Sequence, residues 1–142
     1  MPEVTEYAPG TPSWVDLASP DPDASRRFYG GLFGWEATDP GPVEESGGYR
    51  MLQRDGRNVA GLGPTQAEGQ PAVWTTYVST DDADAIAARA QELGGRVLVP
   101  PFDAPWVRTT VIADPAGATF TASKFVPENK DLAQSGSAAR QG

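Results

Sequence analysis

The 142-residue chain contains no cysteine and no histidine. Without cysteine it can form no disulfide, and it offers no thiolate nucleophile, iron–sulfur ligand or cysteine-bound zinc. Without histidine it lacks the imidazole base and the commonest metal ligand in proteins. These two absences exclude most of the familiar catalytic machinery before any motif is considered.

Long apolar runs and a positive net charge are also missing. No apolar run approaches the roughly 20 residues that a membrane-spanning helix needs. The first ten residues carry two glutamates and no lysine or arginine, which is unlike a secretory signal. The net charge of −8 repels nucleic-acid phosphates. The composition therefore predicts a cytoplasmic protein without a nucleic-acid or membrane partner.

Glycine and proline are abundant instead, with 16 and 14 residues. This density favours short strands that are joined by turns. Residues 1–10 are predicted to be an N-terminal extension. Residues 126–142 have no apolar periodicity and are predicted to be a flexible C-terminal tail. The folded part is therefore expected to run from 11 to 125.

The folded part repeats itself at an offset of 61 residues. The recurring pairs are Asp21/Asp82, Asp23/Asp84, Ala24/Ala85, Leu32/Leu93, Gly34/Gly95, Pro40/Pro101 and Gly56/Gly117. Most of these matches lie at expected turns and helix caps, which makes a chance origin less plausible. The pattern predicts an internal duplication, with a first module at 11–64 and a second at 65–125.

Each module is predicted to contain a strand, a helix and three further strands (βαβββ). Acidic residues before each helix satisfy its free N–H groups, and glycines end it. The helices are expected at 23–33 and 83–93. The strands are expected at 13–18, 35–38, 49–53 and 58–62 in the first module, and at 73–79, 96–99, 107–113 and 119–123 in the second.

The chain resembles the vicinal oxygen chelate superfamily, also called glyoxalase/bleomycin-resistance/dioxygenase proteins. The resemblance lies in the stretches WVDLASPDPDASRRFYGGLFGWE, GGYRMLQRDGRNVAGLG, VWTTYVSTDDADAIAARAQELGG and DPAGATF, and it spans residues 11–125. It implies an α+β fold in which two βαβββ modules form an eight-stranded half-open barrel around one cavity. It also implies a homodimer.

The chain departs from this family at the metal site. In metal-dependent relatives, four side chains, mostly His, Glu or Gln, line the cavity. The resemblance maps these positions onto Trp14, Ala60, Thr75 and Thr121. Tryptophan and alanine offer no ligand atom, and neutral threonine hydroxyls bind divalent ions poorly. The resemblance therefore implies a metal-free member that needs no cofactor.

Strand alternation predicts which side chains enter the cavity. The predicted ligand-binding residues are Trp14, Asp16, Tyr49, Met51, Asn58, Thr75, Tyr77, Trp106, Arg108 and Thr121. The same alternation predicts two sets that each share a face, namely Tyr49, Met51, Gln53, Asn58, Ala60 and Leu62, and Arg108, Thr110, Thr119 and Thr121. This aromatic, lightly polar lining suits a flat and largely apolar organic molecule.

Two groups of side chains have alternative interpretations. Asp16 lies in mid-strand, where a carboxylate is costly unless it meets water, a partner or a ligand. In a functional role, Asp16 either contacts a ligand or serves as a base. In a structural role, it either pairs with Arg108 or Arg50 or lies at the solvent-filled opening of the cavity. Trp35 and Trp74 are expected to fill the core or a subunit interface, whereas Trp106 has either role.

Two functions are consistent with a metal-free aromatic cavity. The favoured one is a non-catalytic protein that binds an aromatic or polycyclic small molecule and sequesters an antibiotic or natural product, as in self-resistance. The alternative is a metal-independent biosynthetic enzyme, a cyclase or a cofactorless oxygenase, that uses the same cavity. No serine or threonine has an evident basic partner, so no catalytic nucleophile is predicted.

Overall fold

The computed structural model describes residues 7–39, 41–42 and 47–130. This part of the chain contains eight strands, two α-helices and one 3-10 helix. In chain order they are β1 (Pro12–Ser19), α1 (Pro22–Phe33), β2 (Glu36–Ala37), β3 (Arg50–Arg54), β4 (Arg57–Pro64), β5 (Val73–Ser79), α2 (Ala83–Glu92), β6 (Arg96–Ala104), β7 (Val107–Ala113), β8 (Thr119–Phe125) and the 3-10 helix (Pro127–Asn129). The predicted α+β class and the order βαβββ, repeated once, are confirmed.

The chain forms two compact units. The first unit is Val15–Thr75, and the second is Met1–Trp14 with Thr76–Gly142, which is described over 7–14 and 76–130. Strands β1 and β5 each contribute residues to both units. The predicted boundary after residue 64 divides the chain by its sequence repeat, whereas these units divide it by its contacts. The predicted boundary therefore stays a prediction. Residues 1–6 of the predicted extension and 131–142 of the predicted tail lie outside the described residues.

Both helices begin at an aspartate that belongs to the repeat. Asp21 accepts a hydrogen bond from the backbone N–H of Ala24 at 3.1 Å, and Asp82 accepts one from Ala85 at 3.0 Å. Such caps satisfy N–H groups that have no partner within the helix. Gly34 ends α1 with a φ of 75°, a conformation that favours glycine. No helix in the described ranges is long and apolar enough to cross a membrane.

The strands of the first unit lie in the order β2-β3-β4-β1. β1 pairs with β4 in parallel, and the other neighbours are antiparallel. The core of this unit consists of Leu17, Leu52, Ala60 and Leu62, all at most 5% exposed. Tyr29 of α1 packs against this core, so α1 covers the face that carries these four residues.

A β-bulge interrupts the pairing of β3 with β4. Leu52 pairs with Ala60 but Gln53 pairs with Asn58, so Val59 is an extra residue in β4. The bulge places Asn58 on the face of Met51 and Gln53, whereas Ala60 and Leu62 lie in the core on the side of α1. The prediction that these residues share one face is wrong, because strict alternation does not allow for the extra residue.

The strands of the second unit lie in the order β5-β8-β7-β6. Thr121 of β8 aligns with Tyr77 of β5 and with Val111 of β7. Arg108 is three residues from Val111 on β7, so it points to the opposite face from Thr121. The prediction that Arg108 shares a face with Thr121 is wrong. Each strand alternates as expected, but the register between β7 and β8 was not evident from the sequence.

Strand β6 is longer than predicted, because it continues through Pro100 and Pro101 to Ala104. Proline lacks the N–H that a central strand donates to its neighbour. β6 is the end strand of its unit and pairs only with β7 among the described strands. Its register shifts between Val99 and Phe102, where the prolines lie. An edge position with irregular pairing tolerates both of them.

Candidate functional site

The first unit has a second sheet face, opposite α1, which we call its distal face. It carries Asp16, Tyr49, Met51, Gly61 and Gly63. Asp16 and Met51 both align with Gly61, on β1 and β3 respectively. With Asn58, which the bulge places on the face of Met51, four of the predicted ligand-binding residues are therefore brought to one face of the first unit.

Tyr49 lies across two glycines of β4. A Cβ atom on Gly61 would overlap the Tyr49 hydroxyl, and one on Gly63 would stand 3.2 Å from Cδ2 of the ring. The missing side chains therefore create the space that this ring occupies. In this position the Tyr49 hydroxyl donates a hydrogen bond to Oδ2 of Asp16 at 3.2 Å.

The Tyr49–Asp16 pair is half-buried and lies on the distal face. A carboxylate held beside a phenol is a hydrogen-bonding group, and in enzymes it is also a proton acceptor. The sequence predicts Arg50 and Arg108 as alternative partners of Asp16. The structure places Arg50 near Asp23, at 3.7 Å, and Arg108 beside carboxylates of the second unit.

Asn58 and the predicted residues outside the distal face are distributed over both units. In the first, Asn58 is exposed and its Oδ1 accepts a hydrogen bond from Nε2 of Gln53 at 2.9 Å, and Thr75 is half-buried. In the second, Trp14 and Tyr77 are half-buried, and Thr121 is only 5% exposed. The backbone carbonyl of Tyr77 accepts a hydrogen bond from the Ser13 hydroxyl at 3.4 Å.

Because of the bulge in β4, Ala60 does not occupy the metal-ligand position that the family resemblance assigned to it. Asp16 aligns with Gly61 in the first unit as Tyr77 aligns with Thr121 in the second. The counterpart of Thr121 is therefore Gly61, whereas Ala60 is fully buried in the core. Within residues 7–39, 41–42 and 47–130, no three His, Cys, Asp or Glu side chains are grouped so that they could hold a metal ion.

Trp106 occupies the turn between β6 and β7 with a φ of 69°. Its backbone N–H donates to the Asn129 carbonyl at 3.3 Å, and its carbonyl accepts from the Val126 N–H at 2.7 Å. Trp106 is 49% exposed and Phe125 is 65% exposed, and their rings lie parallel with centroids 6.1 Å apart. A left-handed backbone is strained for a bulky residue. Here it accompanies an exposed pair of parallel rings.

Arg108 is held by two carboxylates of its own unit. Its Nε and one terminal nitrogen donate to Asp84 at 2.7 and 3.0 Å, and the other terminal nitrogen lies 3.2 Å from Asp103. The hydrogen bonds from Arg108 lower the pKa of Asp84 and, conversely, raise the pKa of Arg108. This ion pair ties the first turn of α2 to β7. The predicted role of Arg108 in ligand binding stays a prediction.

Three residues of these sites escaped the sequence analysis, namely Phe125, Gly61 and Gly63. The spacing of the two glycines carries a signal, because a Gly-x-Gly alternation within a strand leaves one face bare for a neighbouring ring. Phe125 had no such signal. Its contact with Trp106 depends on the turn conformation and on the pairing of β7 with β8.

A second aromatic cluster lies on the α1 side of the first unit. Trp35 is half-buried and stacks on Tyr29 with centroids 5.7 Å apart. Trp74 is 42% exposed, and its indole N–H donates to the Tyr29 hydroxyl at 3.1 Å. Both tryptophans thus take part in ring packing around α1, and neither lies on the distal face.

The chain is similar to proteins of known family. The model of the Glyoxalase/Bleomycin resistance protein/Dioxygenase superfamily matches residues 11–121. The anthracycline biosynthesis protein DnrV of Streptomyces peucetius is 44% identical over 135 residues, which cover 82% of this chain and 48% of that protein. The putative glyoxylase CFP32 of Mycobacterium tuberculosis is 42% identical over 123 residues, covering 83% and 47%.

The chain spans about half the length of the curated relatives it matches. Among solved structures, a glyoxalase/bleomycin resistance protein/dioxygenase superfamily member from Vibrio splendidus aligns with a TM-score of 0.56 and 16% identity, over 80% of this chain and 99% of that one. At this identity the likeness shows the fold, and it confirms the predicted fold class. Because the family model covers most of the residues, the chain belongs to the Glyoxalase/Bleomycin resistance protein/Dioxygenase superfamily.

Proposed function

We propose that the protein binds a planar, polycyclic aromatic natural product without a metal ion and holds it unchanged. The observation that carries this proposal is the exposed ring pair of Trp106 and Phe125. A backbone conformation as strained as that of Trp106 costs of order 1–3 kcal/mol, and such strain concentrates at functional sites. Two parallel rings offer a flat apolar surface on which a flat molecule can stack.

The distal face of the first unit supports the same ligand class. Tyr49 and Met51 supply aromatic and polarisable surface, and Asp16 supplies a polar group that can fix the orientation of a ligand. Trp14, Asn58, Thr75, Tyr77, Arg108 and Thr121 are the other residues that we propose for ligand binding. The 44% identical relative is named an anthracycline biosynthesis protein, and anthracyclines are polycyclic aromatic compounds. That name supports the ligand class proposed for this chain.

The proposal extends to the setting in which the protein works. We expect a cytoplasmic homodimer that sequesters the compound and so protects the cell that contains it. The family resemblance supports the dimer, and the charge of −8 is consistent with a protein that avoids nucleic acid and anionic membrane surfaces.

A biosynthetic enzyme is the second candidate, and the Tyr49–Asp16 hydrogen bond is the observation that favours it. In this case Asp16 would accept a proton from the bound compound, and Tyr49 would hold the carboxylate in place. Turnover would then yield a product of altered structure, and Asp16→Asn would abolish it while leaving binding measurable. If the protein binds the compound without turnover, the compound is recovered unaltered from the wild-type protein and from Asp16→Asn.

Quenching of tryptophan emission tests the proposal, with doxorubicin as the anthracycline probe. We expect saturable quenching, at least about tenfold weaker binding in Trp106→Ala, which corresponds to about 1.4 kcal/mol, and full recovery of unaltered probe. Trp74→Phe is the matched control, because it removes an exposed tryptophan of the first unit that lies away from the distal face. Absence of quenching, or equal loss in the two variants, would overturn the proposal.

A further inference from the structure

We infer a second small-molecule site in the second unit, in the groove between α2 and the strands β7 and β8. It lies on the α2 side of the sheet and shares no residue with the proposed ligand-binding set. Its expected ligand is an uncharged aromatic molecule of one or two rings. The inference is independent of the proposed function.

The groove is a cavity of about 250 Å³. Its apolar lining comes from Ile86, Ala90, Leu93, Ile112, Pro115 and Phe120. Ile112 is 2% exposed and forms the floor, whereas Leu93 is 63% exposed and stands at the rim. A ligand in the groove would therefore cover apolar surface that water now reaches.

The first unit shows what this groove lacks. At the offset of 61 residues, Tyr29 corresponds to Ala90, and Trp35 corresponds to Arg96. In the first unit Tyr29 and Trp35 stack on each other and pack against the core beneath α1. In the second unit an alanine stands where the first unit has this tyrosine, and it lines the groove.

A compensating exchange fills only part of this space. The core pair Leu52–Ala60 of the first unit corresponds in strand register to Ile112–Phe120 of the second. Phe120 is thus large where Ala60 is small, yet a volume of about 250 Å³ remains. An apolar protein cavity of about 150 Å³ is enough to bind benzene. The groove therefore has room for one or two rings.

The lining also determines the charge of the ligand. Arg89 borders the groove, but its guanidinium is paired with Glu92 at 2.8 Å. Asp114, the other charged residue at the groove, uses Oδ1 to accept hydrogen bonds from the N–H groups of Ala116 and Ala118. Both charged side chains at the groove therefore already have partners, and the apolar remainder of the lining would remove hydration from a charged ligand without replacing it. An uncharged ring matches the apolar surface of the groove, and it has the flat shape of the Tyr29 and Trp35 rings in the first unit.

Methyl NMR provides a direct test, because the chain has only two isoleucines, Ile86 and Ile112, and both line the groove. Met51 lies on the distal face of the first unit and reports on the proposed function instead. With indole as the probe, we expect the two isoleucine methyl signals to shift together and to saturate, while the Met51 methyl signal stays in place. Benzoate, which has one ring and a negative charge, should shift neither isoleucine.

Two variants complete the test. Ala90→Tyr copies Tyr29 into the groove and should weaken indole binding at least about tenfold, whereas Ala88→Tyr adds the same ring at an exposed position of α2 that is not part of the groove. Ala90→Leu fills less volume and serves if tyrosine prevents folding.

Isoleucine signals that stay unmoved to the solubility limit of indole, or that shift equally in the wild type and the Ala90 variants, would overturn the inference. Neither result would alter the quenching expected with doxorubicin. Conversely, failure of that quenching would leave the indole titration unaffected.

Discussion

The two units share one order of elements and one capping scheme, but they fill the space beneath their helices differently. In the first unit Tyr29 packs against a core that contains the small residue Ala60, whereas in the second unit Ala90 and the large residue Phe120 line the same groove. The exchange conserves volume only in part, since the second unit retains a cavity. The two units thus keep the same local signals while their packing differs.

The charged contacts of the two helices differ as well. Asp23 and Asp84 are equivalent in the repeat and lie in the first turn of their helices. Asp23 lies 3.7 Å from Arg50, whereas Asp84 accepts two hydrogen bonds from Arg108, at 2.7 and 3.0 Å. The second helix is therefore held to its sheet by a bidentate pair, and the first depends more on ring packing.

The comparison of packing is sharpened most by placing leucine at Ala60 and at Ala90, because we expect opposite changes in stability. Ala60 is fully buried, so Ala60→Leu should destabilise the protein by about 1–3 kcal/mol through overpacking. Ala90→Leu fills an existing cavity and should instead be neutral or stabilising by up to about 1 kcal/mol. Urea unfolding of both variants measures the difference, and equal destabilisation would remove the distinction between the two grooves.

A second contrast lies between Gly61 on the distal face of the first unit and its counterpart Thr121 in the second unit. Gly61→Ala should displace the Tyr49 ring and break its hydrogen bond to Asp16, at a smaller cost of about 1–2 kcal/mol, because Tyr49 is only half-buried and can move. Doxorubicin binding should weaken in parallel. Thr121→Ser keeps the hydroxyl at the equivalent position of the second unit and is the control for stability, not for doxorubicin binding. An unchanged Tyr49 environment in aromatic NMR spectra would contradict the expectation.

The helix caps should respond alike in the two units. Asp21→Ala and Asp82→Ala each remove a side chain that accepts a hydrogen bond from a backbone N–H at the start of a helix, and each should cost about 1 kcal/mol. Urea unfolding measures both. Asp21→Asn and Asp82→Asn keep an accepting oxygen and should restore most of the loss. A large difference between the units would show that the caps are not equivalent.

The ion pair of the second unit predicts the smallest effect, which is visible only in acid. Arg108 lowers the pKa of Asp84 in the folded state. The resulting stabilisation is present above the unfolded pKa of an aspartate, near 3.9, and is lost as the pH falls through the lowered folded value. Asp84→Asn should flatten this part of the acid unfolding curve. In an Arg108→Gln background the same substitution should change nothing, and an additive effect would contradict the coupling.

Local signals explain why most elements were predictable from the sequence. Aspartate caps, glycine ends and turn residues act within a few positions, so strands β5 and β7 were placed without error and both helices to within one residue. The bulge at Val59 depends on the partner strand, and it moved Ala60 from the cavity to the core. The continuation of β6 through its prolines depends on its edge position.

Side-chain placement at the candidate sites was less predictable for the same reason. Tyr49 and Asp16 were selected from strand alternation, but their contact depends on the space above Gly61. Arg108 was assigned to the face of Thr121, and its contacts with Asp84 follow from the register of β7. The left-handed backbone of Trp106 had no sequence signal, because this conformation usually selects glycine or asparagine.

Native mass spectrometry of the protein with doxorubicin tests the central claim most directly. Metal-free binding predicts a complex that carries the intact mass of the probe, without a metal adduct, and that is strongly reduced in Trp106→Ala but not in Trp74→Phe. A stoichiometric metal ion in the wild-type protein, or a bound compound whose mass has changed, would contradict the claim.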